Sequence, residues 1–208
     1  MKAGMRGMRG LVATAVVLAT SVSCGDVARL GRAPVFLSID LLQGASGNTT
    51  PGPFGNPLAS DVLTNVISPA PCSALSPCPT IFSDLGQVVL RLIPKDVINT
   101  TPSSNNRVTI TRYRVTYRRA DGRNTQGVDV PYAFDGGATG TVPADGTLTL
   151  TFELVRHVAK MEAPLVQLVT NAAVITTLAD VTFYGQDQVG NAISATGLIQ
   201  VDFGNFGN

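Results

Sequence analysis

The segment "RVTITRYRVTYRRADGR", residues 107–123, constrains the fold more than any other, because its alternation changes phase. Val108 and Ile110 are apolar at even positions, whereas Tyr113, Val115 and Tyr117 are apolar at odd ones. Successive side chains of a strand point to opposite faces, so an uninterrupted strand cannot bury both sets. The pattern predicts one absorbed residue near Thr111 or Arg112, as a β-bulge or as a corner between sheets. Past that point Arg112, Arg114, Thr116 and Arg118 share the outer face.

The same period of two recurs along the chain. "PVFLSIDLL" places Val35, Leu37, Ile39 and Leu41 on one face, and "TLTLTFEL" does so with Leu148, Leu150, Phe152 and Leu154. Near the end, "ADVTFYG" offers Ala179, Val181 and Phe183, and "AISATGLIQVDF" offers Ile193, Ala195, Ile199, Val201 and Phe203. These patterns predict half-buried strands. Between the last two, "QDQVGN" supplies Gly190 for a positive φ and predicts a tight antiparallel hairpin. The stretch "ADGRNTQGVDVPYAFDGGATG" reads as a polar connection with a short edge strand at Val128 to Ala133, limited by Pro131. Residues 43–85, rich in Gly, Pro, Ser, Asn and Thr, read as one long excursion with a single edge strand in "DVLTNVI". In "RHVAKMEAPLVQLVTN" the apolar residues Val158, Met161, Leu165 and Leu168 lie near helical spacing, which predicts a helical turn or two, interrupted at Pro164. With no alternation of strands and helices, the expected class is all-β: an antiparallel sandwich of about seven strands.

The N-terminal "MKAGMRGMRGLVATAVVLATSVSCGD" carries Lys2, Arg6 and Arg9 with no acid, then an apolar run from Leu11 to Val22, then small residues. That order predicts a cleaved signal peptide. The run falls short of the ~20 residues a membrane-spanning helix needs. "SVSC", Ser21 to Cys24, resembles the lipobox of bacterial lipoproteins, which are cut before a lipid-bearing cysteine. Ser21 stands where Leu is usual, and a plain secretory signal with a structural Cys24 is the alternative reading. By the same resemblance, Gly25 in place of Asp after the cysteine implies an outer-membrane destination. The expected organisation is a signal peptide at 1–23, a tether at 24–33 after lipidated Cys24, and one domain at 34–208.

The last third, "LADVTFYGQDQVGNAISATGLIQVDF", resembles the final two strands of bacterial immunoglobulin-like domains, whose penultimate strand often ends in an Asp, Gly, Asn turn, here Asp187, Gly190 and Asn191. The resemblance covers about 30 residues. It implies an immunoglobulin-like β-sandwich carried by a lipoprotein. The buried Trp of antibody domains is absent, and Cys72 and Cys78 are too close in sequence to link two sheets.

Charge and cysteine usage narrow the function. The chain has 15 Lys and Arg against 14 Asp and Glu, and loss of the three leader cations leaves 12 against 14. No global field then draws it to nucleic acid. Arg107, Arg112, Arg114, Arg118, Arg119 and Arg123 crowd one segment. They read as a solvated strand face, with Arg112, Arg114 and Arg118 as the candidate partner-binding residues. If Cys24 carries lipid, Cys72 and Cys78 in "PCSALSPCP" remain as a pair, and an oxidising compartment permits a bridge. A loop that short restrains the unfolded chain by roughly 2 kcal/mol and pins a local turn.

Chemistry is sparse. His157 is the single imidazole, beside Arg156 and without a neighbouring acid or nucleophile to support a triad. Asp121, Asn124, Asp129 and Asp135 form the one candidate Ca2+ set, in a spacing unlike an EF-hand loop. Aromatics for sugar stacking are few. The expected function is a non-catalytic, lipid-anchored envelope module without a cofactor, meeting the membrane through Cys24 and a partner protein through its strand edges. The alternative is a small-ligand or Ca2+-binding protein using the 121–137 loop.

Overall fold

The computed structural model describes residues 32–96, 98 and 104–207. The signal peptide, Cys24 and nearly all of the tether lie outside the described residues. The protein is all-β, with ten strands among those residues: β1 (Val35–Ala45), β2 (Leu58–Asp61), β3 (Thr64–Val66), β4 (Cys78–Thr80), β5 (Asp84–Pro94), β6 (Val108–Arg118), β7 (Phe134–Val142), β8 (Thr147–Val155), β9 (Ile175–Asp187) and β10 (Ala192–Gly204). A short helix, α1 (His157–Met161), and a 3-10 turn at Leu165–Thr170 cross from β8 to β9.

One sheet has the order β1-β5-β8 and the other β2-β10-β9-β6-β7, while β3 and β4 form a separate ribbon. All neighbours are antiparallel except β2 and β10, which run parallel. The two larger sheets share one apolar core. From the first come Val88, Leu90, Phe152 and Leu154, and from the second Val108, Ile110, Val115, Val181, Phe183, Ile199 and Val201.

The phase change in β6 is a register shift between Ile110 and Arg112, against both β7 and β9. Val108 and Ile110 before it, and Tyr113, Val115 and Tyr117 after it, are all buried. The absorbed residue lets both phases face the core. Tyr113 and Tyr117 then reach across to the other sheet, donating from their hydroxyls to the carbonyl oxygens of Glu153 (3.0 Å) and Leu154 (2.5 Å). Two glycines make room for the rings beside them. Phe152 pairs with Gly86 and Tyr113 with Gly136, and in each case an added Cβ would run into the ring.

The β9–β10 hairpin forms as expected, with Gly190 at φ +85°. Asp187 organises its turn, accepting from the backbone N–H groups of Val189 (3.0 Å) and Asn191 (2.8 Å) and from the Asn191 amide (2.7 Å). Partial burial pushes its carboxyl upward, but the hydrogen bonds from Asn191 and Val189 outweigh that and hold it below the ordinary range.

Elsewhere the structure departs from the sequence pattern. A second bulge, between Ile39 and Leu41, turns Leu41 outward and buries Leu42 in its place. The excursion at 43–85 is shorter than expected, because β1 runs to Ala45 and β5 starts at Asp84, and it holds three short strands. No strand forms at Val128 to Ala133; Val130 makes only an isolated bridge to Gln126. The strand lies just beyond, as β7, in the Gly-rich part read as connection. The strand β5 is the centre of the three-stranded sheet and went unread. In the helical segment Leu165 and Leu168 are buried, but Val158 and Met161 are exposed, and Ala159 and Lys160 face the interior. Lys160 has a partner there that the apolar spacing could not reveal.

Candidate functional site

The basic stripe is exposed and largely paired. Arg112 and Arg114 both meet Asp135, at 3.0 and 2.6 Å, and Arg118 meets Asp180 at 2.8 Å. The Arg112 guanidinium also lies 3.7 Å from the centre of the Tyr184 ring. Pairs this exposed contribute about 0–1 kcal/mol each. They matter more by cancelling the positive field of the stripe than by stabilising the sheet.

The acids of the 121–137 loop have separate tasks. Asp121 accepts from the Arg119 and Arg123 side chains and from the Arg123 backbone, Asp129 caps the N–H of Thr125, and Asp135 serves the arginines of β6. The Arg119 guanidinium, first of several donors, holds the Asp121 carboxyl far below the usual carboxylate range. Among the described residues no three metal-ligating side chains gather. Asn124 accepts from the Arg119 N–H. His157 is exposed at the start of α1.

Cys72 and Cys78 come together in a disulfide, with Cα atoms 5.3 Å apart. Cys78 opens β4, so the bridge closes the local turn that leads into the β3–β4 ribbon.

Two features stand out from this background. The first is an open strand edge. On one side β10 pairs with β9 through residues 192–203, but on the other β2 covers only Val201 to Gly204. Residues 192–200 therefore present one row of backbone N–H and C=O groups, roughly 30 Å long at strand rise, with no strand hydrogen-bonded along it among the described residues. Their sequence, "AISATGLIQ", contains no charge and no proline. Such edges are normally blunted by Lys, Pro or a bulge. Strand β1 shows that protection, with its bulge and with Asp40 bonded to Arg91 at 2.7 Å. Between the β10 edge and β1 runs an open groove of about 710 Å3, lined by Leu37, Leu41, Leu42, Asn56, Gly197 and Leu198 among others. Leu41 and Leu198 are about half-exposed on it.

The second is a buried polar centre at the end of the sandwich where α1 packs. Lys160 Nζ lies 2.7 Å from Asp84 Oδ1, and both side chains are 0% exposed. Lys160 also donates to the Asp61 carbonyl oxygen at 2.8 Å. Asp84 accepts further bonds from the Ser60 hydroxyl and from the Gly47 N–H (2.8 Å). A side chain at Gly47 would collide with the Ser83 carbonyl, so glycine is what brings that N–H close. Burial pushes the Asp84 carboxyl up, against the opposing pull of the Lys160 ammonium and the other donors. The same burial, with Asp84 nearby, pushes the Tyr117 phenol well above its ordinary range. Four separate segments, at Gly47, β2, β5 and α1, thus meet on one ion pair.

Lys160 and Asp84 were not among the residues singled out by pattern. A signal existed, since Asp84 shares its phase with Gly86, Val88, Leu90 and Leu92, which face inward along β5. An acid in a core phase requires a buried cation or donor set. Comparison with known protein families, with curated proteins and with solved structures finds no match to this chain.

Proposed function

We propose that this protein is a non-catalytic module of the cell envelope, held to the membrane by lipid on Cys24, which captures an extended segment of a partner protein along the free edge of β10. The observation that carries this reading is the unguarded edge at residues 192–200. A bare row of backbone donors and acceptors is complementary to another strand, and strand addition is a common mode of peptide recognition. The occupant would be a strand with apolar residues at alternate positions, because the groove beside the edge presents Leu41 and Leu198 to one of its faces.

The finer architecture belongs to the same reading: a sandwich of immunoglobulin-like type, supported by two packed, mainly antiparallel sheets and by the closing β9–β10 hairpin. The domain starts within a few residues of the tether, at Val35, so an anchor at Cys24 would hold it close to the bilayer. One acyl chain binds marginally and two or more hold firmly, so lipoprotein processing would give stable retention.

Three results test the proposal. Cys24→Ala protein is expected to leave the membrane fraction of lysed cells with its fold intact by circular dichroism, and full retention would refute the anchor. A photo-crosslinking residue at position 198 is expected to join one discrete envelope protein, whereas the same residue at Thr182, on the outer face of β9, joins none. Leu198→Lys places a charge on the edge and is expected to abolish capture while changing stability by no more than about 0.5 kcal/mol. Undiminished capture by Leu198→Lys would remove the edge from consideration.

A further inference from the structure

We propose that Lys160 and Asp84 condense into an intramolecular amide, a covalent cross-link that the folded protein makes between α1 and β5. The reacting groups are already in contact, with Nζ 2.7 Å from Oδ1, and neither side chain has any exposure to water. A buried ion pair is a costly ground state, since each charge has lost its hydration and only good geometry offsets that loss. A proton passed from the ammonium to the carboxylate leaves an amine against a carboxylic acid, both neutral, which a low-dielectric site favours. The upward displacement of Asp84 by burial runs in the same direction.

The surrounding donors and acceptors suit the addition that follows. The Nζ lone pair attacks Cγ of Asp84, and negative charge develops on Oδ2, where the Ser60 hydroxyl already donates. The Nζ–Cγ bond forms, the Cγ–Oδ1 bond breaks, and Oδ1 departs as water with two of the three protons of the original ammonium. The third proton stays as the amide N–H, directed at the Asp61 carbonyl oxygen that Lys160 already contacts at 2.8 Å. Oδ2 remains as the amide oxygen, still bonded to Ser60. The step needs no oxidant, metal or external group: ammonium and carboxylate become amide and water. Condensation is unfavourable between free groups in water, but groups held in reacting geometry reach effective molarities of about 10⁵–10⁸ M. Two buried charges also disappear in the product, and the Ser60 hydroxyl and the Asp61 carbonyl oxygen remain as partners of the amide, while the Gly47 N–H, bonded to Oδ1 in the ion pair, gives up that acceptor.

The cross-link would close the chain from residue 84 to residue 160, a ring that contains β5 to β8. In an envelope protein that binds by strand addition, it would keep the three-stranded sheet and α1 together under pulling load. The inference stands on the geometry of the buried centre and is independent of the edge on β10.

The test is a peptide map of the exported full-length protein, reduced and alkylated so that the Cys72–Cys78 bridge plays no part. The expected result is one peptide pair, carrying Asp84 and Lys160, joined and lighter than the sum of its members by one water. Lys160→Arg retains a cation but cannot form this amide, and should give the two peptides separately. On a reducing denaturing gel, wild type should run ahead of that variant, as a closed ring does. Ser60→Ala should lower the joined fraction several-fold at early times after export. Recovery of the wild-type peptides unjoined, with Lys160 fully open to amine-reactive reagent after denaturation, would overturn the proposal and leave the pair as ionic.

Discussion

Replacing Lys160 by Met is expected to destabilise the protein by about 3–5 kcal/mol, the loss typical when one partner of a buried ion pair is removed. The methionine fills much of the space of the lysine stem, so volume contributes little. What remains is the Asp84 carboxylate, 0% exposed, with the Ser60 hydroxyl and the Gly47 N–H as its donors once the ammonium is lost. Its pKa then has nothing but those donors to oppose burial, and protonation or water entry must relieve it. A second substitution separates the causes. Asp84→Asn in the Lys160→Met background removes the orphaned charge, keeps an oxygen for the Gly47 N–H and lets the Ser60 hydroxyl turn to accept from the new amide, so it should recover part of the loss, whereas Asp84→Leu leaves both groups without a partner at about 1–3 kcal/mol each. Urea titrations of the three proteins give the ranking. A cost below about 1 kcal/mol for Lys160→Met would mean that the pair is not desolvated as described. Where the amide has formed, the reference is the neutral cross-linked protein, and Lys160→Met then both removes the cross-link and leaves Asp84 as a free buried carboxyl, so the loss is larger still.

What the sequence disclosed and what it hid follow from how far each signal reaches. The bulge in β6 was legible because a change of phase within eleven residues is a local contradiction that only an extra residue resolves. The hairpin at Gly190 was legible for the same reason, as turn chemistry sits beside the strands that it joins. The bulge in β1 was not, because Leu41 and Leu42 are both leucine and either can complete the apolar face; register against β5 decided for Leu42. Strand β7 was hidden by its glycines, Gly136, Gly137 and Gly140, which weaken a strand locally. Two of them prove useful only in three dimensions, Gly136 beneath Tyr113 and Gly140 against Leu148 and Leu150. The parallel docking of β2 on β10 joins segments far apart in the chain, and no short-range pattern reports such a pairing. That pairing also decides where the β10 edge is covered and where it is open, so the candidate docking site became visible only with the topology. Lys160 went unread because apolar spacing assigned Val158 and Met161 to the core, whereas Ala159 and Lys160 face inward and Lys160 meets Asp84 there, a partner 76 residues away in the chain.

Truncating Phe183 to Ala should be the most damaging change in the apolar core, at about 3–5 kcal/mol. Its ring is 0% exposed, 5.2 Å from that of Phe152 on the opposite sheet and 6.2 Å from that of Tyr113 on the neighbouring strand, with Tyr113 and Phe152 themselves 5.0 Å apart. Three rings from β6, β8 and β9 thus join the two sheets at one point. The cost depends on whether neighbours can close the void. Here they cannot do so freely, because Phe152 is packed on the bare backbone of Gly86, Tyr113 on that of Gly136, and the Tyr113 hydroxyl is tied to the Glu153 carbonyl. Moving either ring toward the void would uncover a glycine or break that hydrogen bond. Arg114→Ser is the matching control, since Arg114 lies on the outer face of the same sheet, about half exposed, and pairs with Asp135. Its loss should be within about 0.5 kcal/mol, as for most exposed positions. Midpoints from guanidinium titration should therefore fall in the order Arg114→Ser above Phe183→Ala. The opposite order would place the odd-numbered residues of β6 and β9 outside, since a slip of one residue turns every side chain to the other face, and the arginines would then have to be paired within the core.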